Sequence, residues 1–114
     1  MTDQFLHSFI AAHQLTHVAA ESVPLHGMGN GIDVYSLGKT KLRIVSDRGQ
    51  RFIDVWCTDA GEWKDVFTLV ATLDASFKPK TGSFTEAIQT LNKYWPEVLS
   101  SVQREPNPRA QNER

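Results

Sequence analysis

The chain has 114 residues, 40% of them hydrophobic, 10% aromatic and 22% charged, which fits one ordinary globular domain and excludes a disordered, fibrous or two-domain chain. Twelve Lys+Arg against thirteen Asp+Glu give a formal net charge of −1 with the signs interspersed, which argues against nucleic acid as a direct partner. Cys57 is the sole cysteine, so no internal disulfide can form.

In chain order, Thr2–Leu15 is expected to form a helix, with Phe5, Leu6, Phe9, Ile10 and Ala12 at helical spacing and Thr2 or Asp3 as N-cap. No basic segment precedes this stretch, and Gln, His and Ser interrupt its apolar residues. Neither a signal peptide nor a membrane span is therefore expected, and the chain is read as cytoplasmic with no membrane partner. "THVAAESVP" fits either a helical extension or a short strand closed by Pro24, and "LHGMGNG" is a glycine-rich connection. Three strands are predicted at Ile32–Ser36, Lys41–Ser46 and Arg51–Cys57, joined by "LGK" and "DRGQ" turns of hairpin length.

"TDAGEWKDVFTLVATLD" then places Trp63, Val66, Phe67, Val70 and Leu73 on one helical stripe. Thr58 or Asp59 is its expected cap, and Asp59, Glu62 and Asp65 suit the positive end of the helix dipole. "ASFKPKTG" is loop. "SFTEAIQTLNKYW" opens with Ser83 and Glu86 in capping-box spacing, and Pro96 starts a further turn or two. The tail 104–114, "REPNPRAQNER", is polar, rich in proline and expected to be disordered. The predicted fold is a single α+β domain over residues 1–103. Its three-stranded or slightly larger antiparallel meander has the N-terminal helix and two C-terminal helices packed on one face.

Strand register locates a surface. With Asp47 opposite Gln50 across "DRGQ", Arg43 opposes Asp54, Val45 opposes Phe52 and Lys41 opposes Trp56, while Ile44–Ile53 and Leu42–Val55 form an aliphatic core face. A three-residue turn at Leu37-Gly38-Lys39 adds Ile32 and Val34 to that core. It sets Asp33 and Tyr35 on the far face, whereas a two- or four-residue turn would put Asp33 against Ile44 at the cost of an unpaired carboxylate. The expected far face carries Asp33, Tyr35, Arg43, Asp54 and Trp56, an aromatic and ionic mixture of the kind that binding hot spots favour.

Catalytic motifs find little support. His13 and His17 stand four apart, as metal ligands on a helix would, but a third and fourth ligand are lacking. "GMGNG" lacks the spacing and lysine of a phosphate loop and precedes a strand. Cys57 falls in the aliphatic register, and no Gly-x-Ser-x-Gly elbow occurs. No catalytic residue, metal or cofactor is expected.

"LRIVSDRGQRFIDVWC" followed by "EWKDVFTLV", with an amphipathic helix before it, resembles small bacterial immunity proteins of polymorphic-toxin and contact-dependent inhibition systems, over Leu42–Leu73. The resemblance implies a cytosolic, non-catalytic inhibitor that binds a cognate toxin domain, often a nuclease, and blocks its active site. The near-neutral charge departs from the acidity of many nuclease inhibitors. Asp33, Tyr35, Arg43, Asp54 and Trp56 are the expected contact residues, with Asp59, Glu62 and Asp65 as an acidic alternative. Two other functions fit: a small enzyme or ligand-binding domain near His13, His17, His26 and the glycine loop, or a secretion chaperone or accessory subunit forming a homodimer through the aromatic face.

Overall fold

A computed structural model describes residues 4–26 and 30–102. Helix α1, Gln4–Ala12, turns Leu6 and Phe9 inward. It stops short of the expected Leu15 because Gln14 adopts φ 57, a left-handed conformation that ends helices. The expected caps Thr2 and Asp3 and the tail 104–114 lie outside the described residues.

The ambiguous segment resolves into two edge strands, β1 (Thr16–His17) and β2 (Val23–His26), separated by one 3₁₀ turn, Ala19–Glu21. Pro24 does not close the segment; it sits within β2, on a sheet edge where its missing N–H is tolerated. Strands β3 (Asn30–Leu37), β4 (Thr40–Asp47) and β5 (Gln50–Cys57) are the three predicted, each longer by one or two residues at one or both ends. A strand that periodicity missed, β6 (Glu62–Asp65), pairs with β5. The sheet is antiparallel throughout, in the order β1-β3-β4-β5-β6, with β2 beside β1 on the free edge of β3. Helices α2 (Val66–Leu73), α3 (Phe84–Lys93) and α4 (Trp95–Val102) complete an α+β fold.

The second hairpin has the expected register: Asp47 opposes Gln50, Arg43 opposes Asp54 and Ile44 opposes Ile53. Both central residues, Arg48 (φ 55) and Gly49 (φ 84), take the positive φ of a tight type I′ turn.

The first hairpin corrects the sequence reading. Its turn holds two residues, Gly38-Lys39, with Gly38 at φ 61, so Leu37 opposes Thr40 and Asp33 opposes Ile44. The side chains of Ile32, Asp33, Val34, Tyr35 and Ser36 are thereby each on the face opposite to the one expected. Tyr35 and Leu37 pack against the helix-covered core, while Ile32 and Val34 share a face with Arg43. The penalty expected for Asp33 does not arise, because β3 lies near the edge, where the core thins. There Asp33 stays half-exposed and meets His17 Nε2 at 3.1 Å.

The helix-covered core takes its strand residues from one face: Leu42, Ile44, Ile53, Val55 and Cys57 pack with Leu69, Val70, Leu91, Trp95 and Val98 of the helices. Val34, on the other face beside Arg43, is also buried, at 2% exposed. Phe9 of α1 meets Trp95 edge-on, with ring centroids 5.2 Å apart. Thr58 Oγ1 donates to the Val102 carbonyl at 2.8 Å, tying the end of α4 to the β5–β6 turn. Helix α2 starts at Val66 rather than near Thr58. Asp65 is its N-cap, accepting from the N–H groups of Phe67 and Thr68. Ser83 caps α3 through Glu86 N, as predicted, but the Glu86 carboxylate turns outward, accepting from Lys80, Thr81 and Gly82 N–H at 2.7–2.8 Å. Those three bonds, that of Lys80 foremost, hold its pKa down to about 2.

Candidate functional site on the open face of the sheet

Strand alternation sends every second residue of β3 to β6 away from the helices. Two adjacent cross-strand rows result: Val34–Arg43–Asp54–Asp65, and beside it Lys41 of β4 next to the directly opposed pair Trp56–Trp63. A third row, Ile32–Val45–Phe52, adds aliphatic and aromatic surface. None of Ile32, Val45, Phe52, Trp56 and Trp63 packs against the helix-covered core. Phe52 is 41% exposed and the other four are half-buried.

Arg43 is the centre of this face. Its Nε donates to Asp54 Oδ2 at 2.8 Å, and its guanidinium lies 4.7 Å from the centroid of the Trp63 ring. Trp63 in turn meets Trp56 edge-on at 5.3 Å. The Arg43 and Asp54 side chains are only 29% and 16% exposed, which holds the pair in a fixed geometry. A planar cation between a carboxylate and an indole has little rotamer freedom left to lose, so the cluster is preorganised for contact with another surface. The second cation, Lys41, reaches both oxygens of Glu21 at 2.8 and 3.0 Å across the 3₁₀ turn.

Of the sequence-predicted contact residues, Arg43, Asp54 and Trp56 come together here. Asp33 and Tyr35 do not: the two-residue turn places them on the helix side, where the Tyr35 ring meets His17 at 5.2 Å. Asp59 is exposed in the β5–β6 turn; Glu62 is exposed in β6 but opposes Cys57, so it points to the helix side of the sheet, away from the tryptophan pair. Asp65 is occupied as a helix cap. Helical spacing groups Trp63 with Val66, Phe67 and Val70, so the sequence does not point to it as a member of this face. Gly61, at φ 66, closes a four-residue turn before it and is the one local signal of a hairpin.

The histidines do not converge. The His13 ring is tilted against Phe9 and Trp95, with centroids 4.6 and 4.8 Å away, and its Nε2 is 2.8 Å from Asn92 Oδ1. His17 is on the sheet edge, and the side chain of His26 lies outside the described residues. Among the described residues no group of three His, Cys, Asp or Glu is placed to hold a metal ion. Ser22, His17 and Asp33 sit close but lack the geometry of a hydrolytic triad. Ser22 Oγ and Asp33 Oδ1 both approach the same ring nitrogen, Nε2, at 3.1 Å, whereas a triad engages the two nitrogens separately. Ser22 is also committed to the backbone, donating to Val18 O and accepting from Val34 N. Cys57 is buried, and that burial pushes its thiol pKa up, away from the nucleophilic thiolate. No helix among the described residues is long and apolar enough to cross a membrane.

Comparison with protein-family models, curated proteins and solved structures finds no match.

Proposed function

We propose that the protein is a non-catalytic binding domain that holds another protein on the open face of its sheet. The supporting observation is the Arg43–Trp63–Trp56 cluster, fixed by Asp54, on the face of the sheet opposite the α-helices. Tryptophan and arginine dominate binding hot spots because each buries much area at small entropic cost. Two tryptophans of ~150–250 Å² each, with Phe52, Val45 and Ile32, approach the ~300–600 Å² of the largest patch usual on a monomer.

The motif resemblance over Leu42–Leu73 gives the partner its class: a cognate toxin domain, met in the cytoplasm and neutralised by occlusion. In this reading the aromatic cluster supplies affinity, and the flanking charges set orientation.

The test is co-purification of the tagged full chain from its native host, followed by titration of the recovered partner. Trp56→Ala is expected to weaken that complex by ~2 kcal/mol or more. A toxin domain whose activity the wild-type chain abolishes and the variant does not would support the reading. A complex that forms equally well with Trp56→Ala, Trp63→Ala and Arg43→Ala would refute it.

A further inference from the structure

Independently of the sheet-face reading, we infer a second site on the helix side of the molecule: a cleft between α3 and the loop 74–82 that binds a small polyanion, a phosphate ester or a polycarboxylate. The cleft holds about 480 Å³, within the range of small-molecule sites. One stripe of α3 forms one wall, through Glu86, Gln89, Thr90 and Lys93 at helical spacing. The loop forms the other, through Phe77, Lys78 and Lys80.

Both ends of the loop are pinned. At one end Asp74 Oδ2 accepts from the hydroxyl of Tyr94, the C-cap of α3, at 2.7 Å. At the other, Glu86 accepts from Lys80, Thr81 and Gly82 N–H. Phe77 meets the Tyr94 ring edge-on at 5.8 Å. The cleft is therefore preformed, with little ordering left for a ligand to impose. The same bonds occupy the acceptors, because every oxygen of both carboxylates already takes at least one donor.

What the cleft has left over is donors. Among the described residues, Lys78, Lys80 and Lys93 have no carboxylate within 4 Å and make no hydrogen bond through Nζ. Lys93 is held beside the cleft, its Nζ 5.5 Å from the centroid of the Tyr94 ring. The deepest donor is Thr90, which is only 6% exposed. A helical threonine commonly returns its hydroxyl to a carbonyl one turn back, as Thr72 does to Leu69 at 2.6 Å. The Thr90 hydroxyl has no such partner among the described residues. No fully buried side-chain oxygen is left unmatched there, so this one opens into the cleft that the residue lines. An oxyanion above it would match the hydroxyl and the ammonium groups together, whereas a neutral or cationic ligand would leave the charges uncompensated.

The test is calorimetric titration of the full-length chain at low salt with pyrophosphate, citrate and adenosine monophosphate, against adenosine and spermidine as neutral and cationic controls. At least one polyanion should bind and neither control should. The ranking of pyrophosphate against citrate distinguishes a phosphate ligand from a carboxylate one. Lys80→Gln and Lys93→Gln should each weaken binding about tenfold, while Lys64→Gln, outside the cleft, should not. Thr90→Val should weaken binding yet melt no lower than wild type, since the lost hydroxyl holds nothing in the fold. Absence of binding by all three anions, or binding unchanged in Lys80→Gln, Lys93→Gln and Thr90→Val, would overturn the inference and leave the sheet-face reading standing.

Discussion

Arg43 and Glu86 show how far one side chain can organise its surroundings. Arg43 links Asp54 to Trp63, so truncating it uncovers a carboxylate only 16% exposed. Arg43→Ala is expected to cost ~1–3 kcal/mol of stability, the range for stranding a mostly buried partner. Arg43→Ala/Asp54→Ala should cost less than the sum of the two single changes, and urea unfolding midpoints of the four proteins measure the difference.

Glu86 has its effect at acid pH. Its folded pKa lies at about 2, below an ordinary value of 4.5, because three loop N–H groups hold the charged form. The stability this carboxylate contributes is complete above 4.5 and is lost as pH falls toward 2. Glu86→Gln should therefore melt lower than wild type at pH 6, with the gap closing by pH ~2. Thermal scans across that range check it, and a constant gap would show that the loop bonds are not charge-assisted.

Among the elements, the β6–α2 junction has the clearest prediction, because Asp65 changes a strand into a helix within one residue. Its carboxylate caps α2, so Asp65→Ala should cost ~1 kcal/mol, while Asp65→Asn or Asp65→Ser should lose much less. The same series separates capping from docking: if Asp65 contacts a partner by charge, Asp65→Asn would preserve stability and still weaken binding.

The sequence also shows at this scale what it can and cannot convey. The β4–β5 register was legible because "DRGQ" offers a tight turn and aliphatic residues alternate cleanly on both sides. The β3–β4 register was not, since a two- and a three-residue turn both fit the chain. The choice rested on keeping Asp33 out of a dry core, yet Asp33 sits at a thin edge where β1 brings His17 alongside. Strand β6 was hidden because four residues are too few to display alternation, and Trp63, Val66, Phe67 and Val70 also satisfy a helical period. Three of the four residues of the central cluster, Arg43, Asp54 and Trp56, are therefore legible from the correctly registered hairpin. Trp63 escaped notice because it belongs to the strand that was read as helix.

On the scale of the whole molecule, the four α-helices among the described residues pack on one side of the sheet, and in the proposed reading Trp56→Ala on the other side should change binding far more than folding. A melting temperature close to wild type alongside lost partner affinity is the expected pair of results. A sheet left bare on one side also raises the question of what stops copies of the chain from adding strands to one another without limit. The two flanks answer it in different ways. Along β3 the outer ladder is broken into β1 and β2 by a 3₁₀ turn, with Pro24 withholding a donor. On the opposite flank β6 spans only four residues, carries Lys64 in its second half and runs straight into α2. Neither border offers a long straight template for fibril growth, which lets this chain keep a sticky aromatic surface without the amyloid hazard that usually accompanies one.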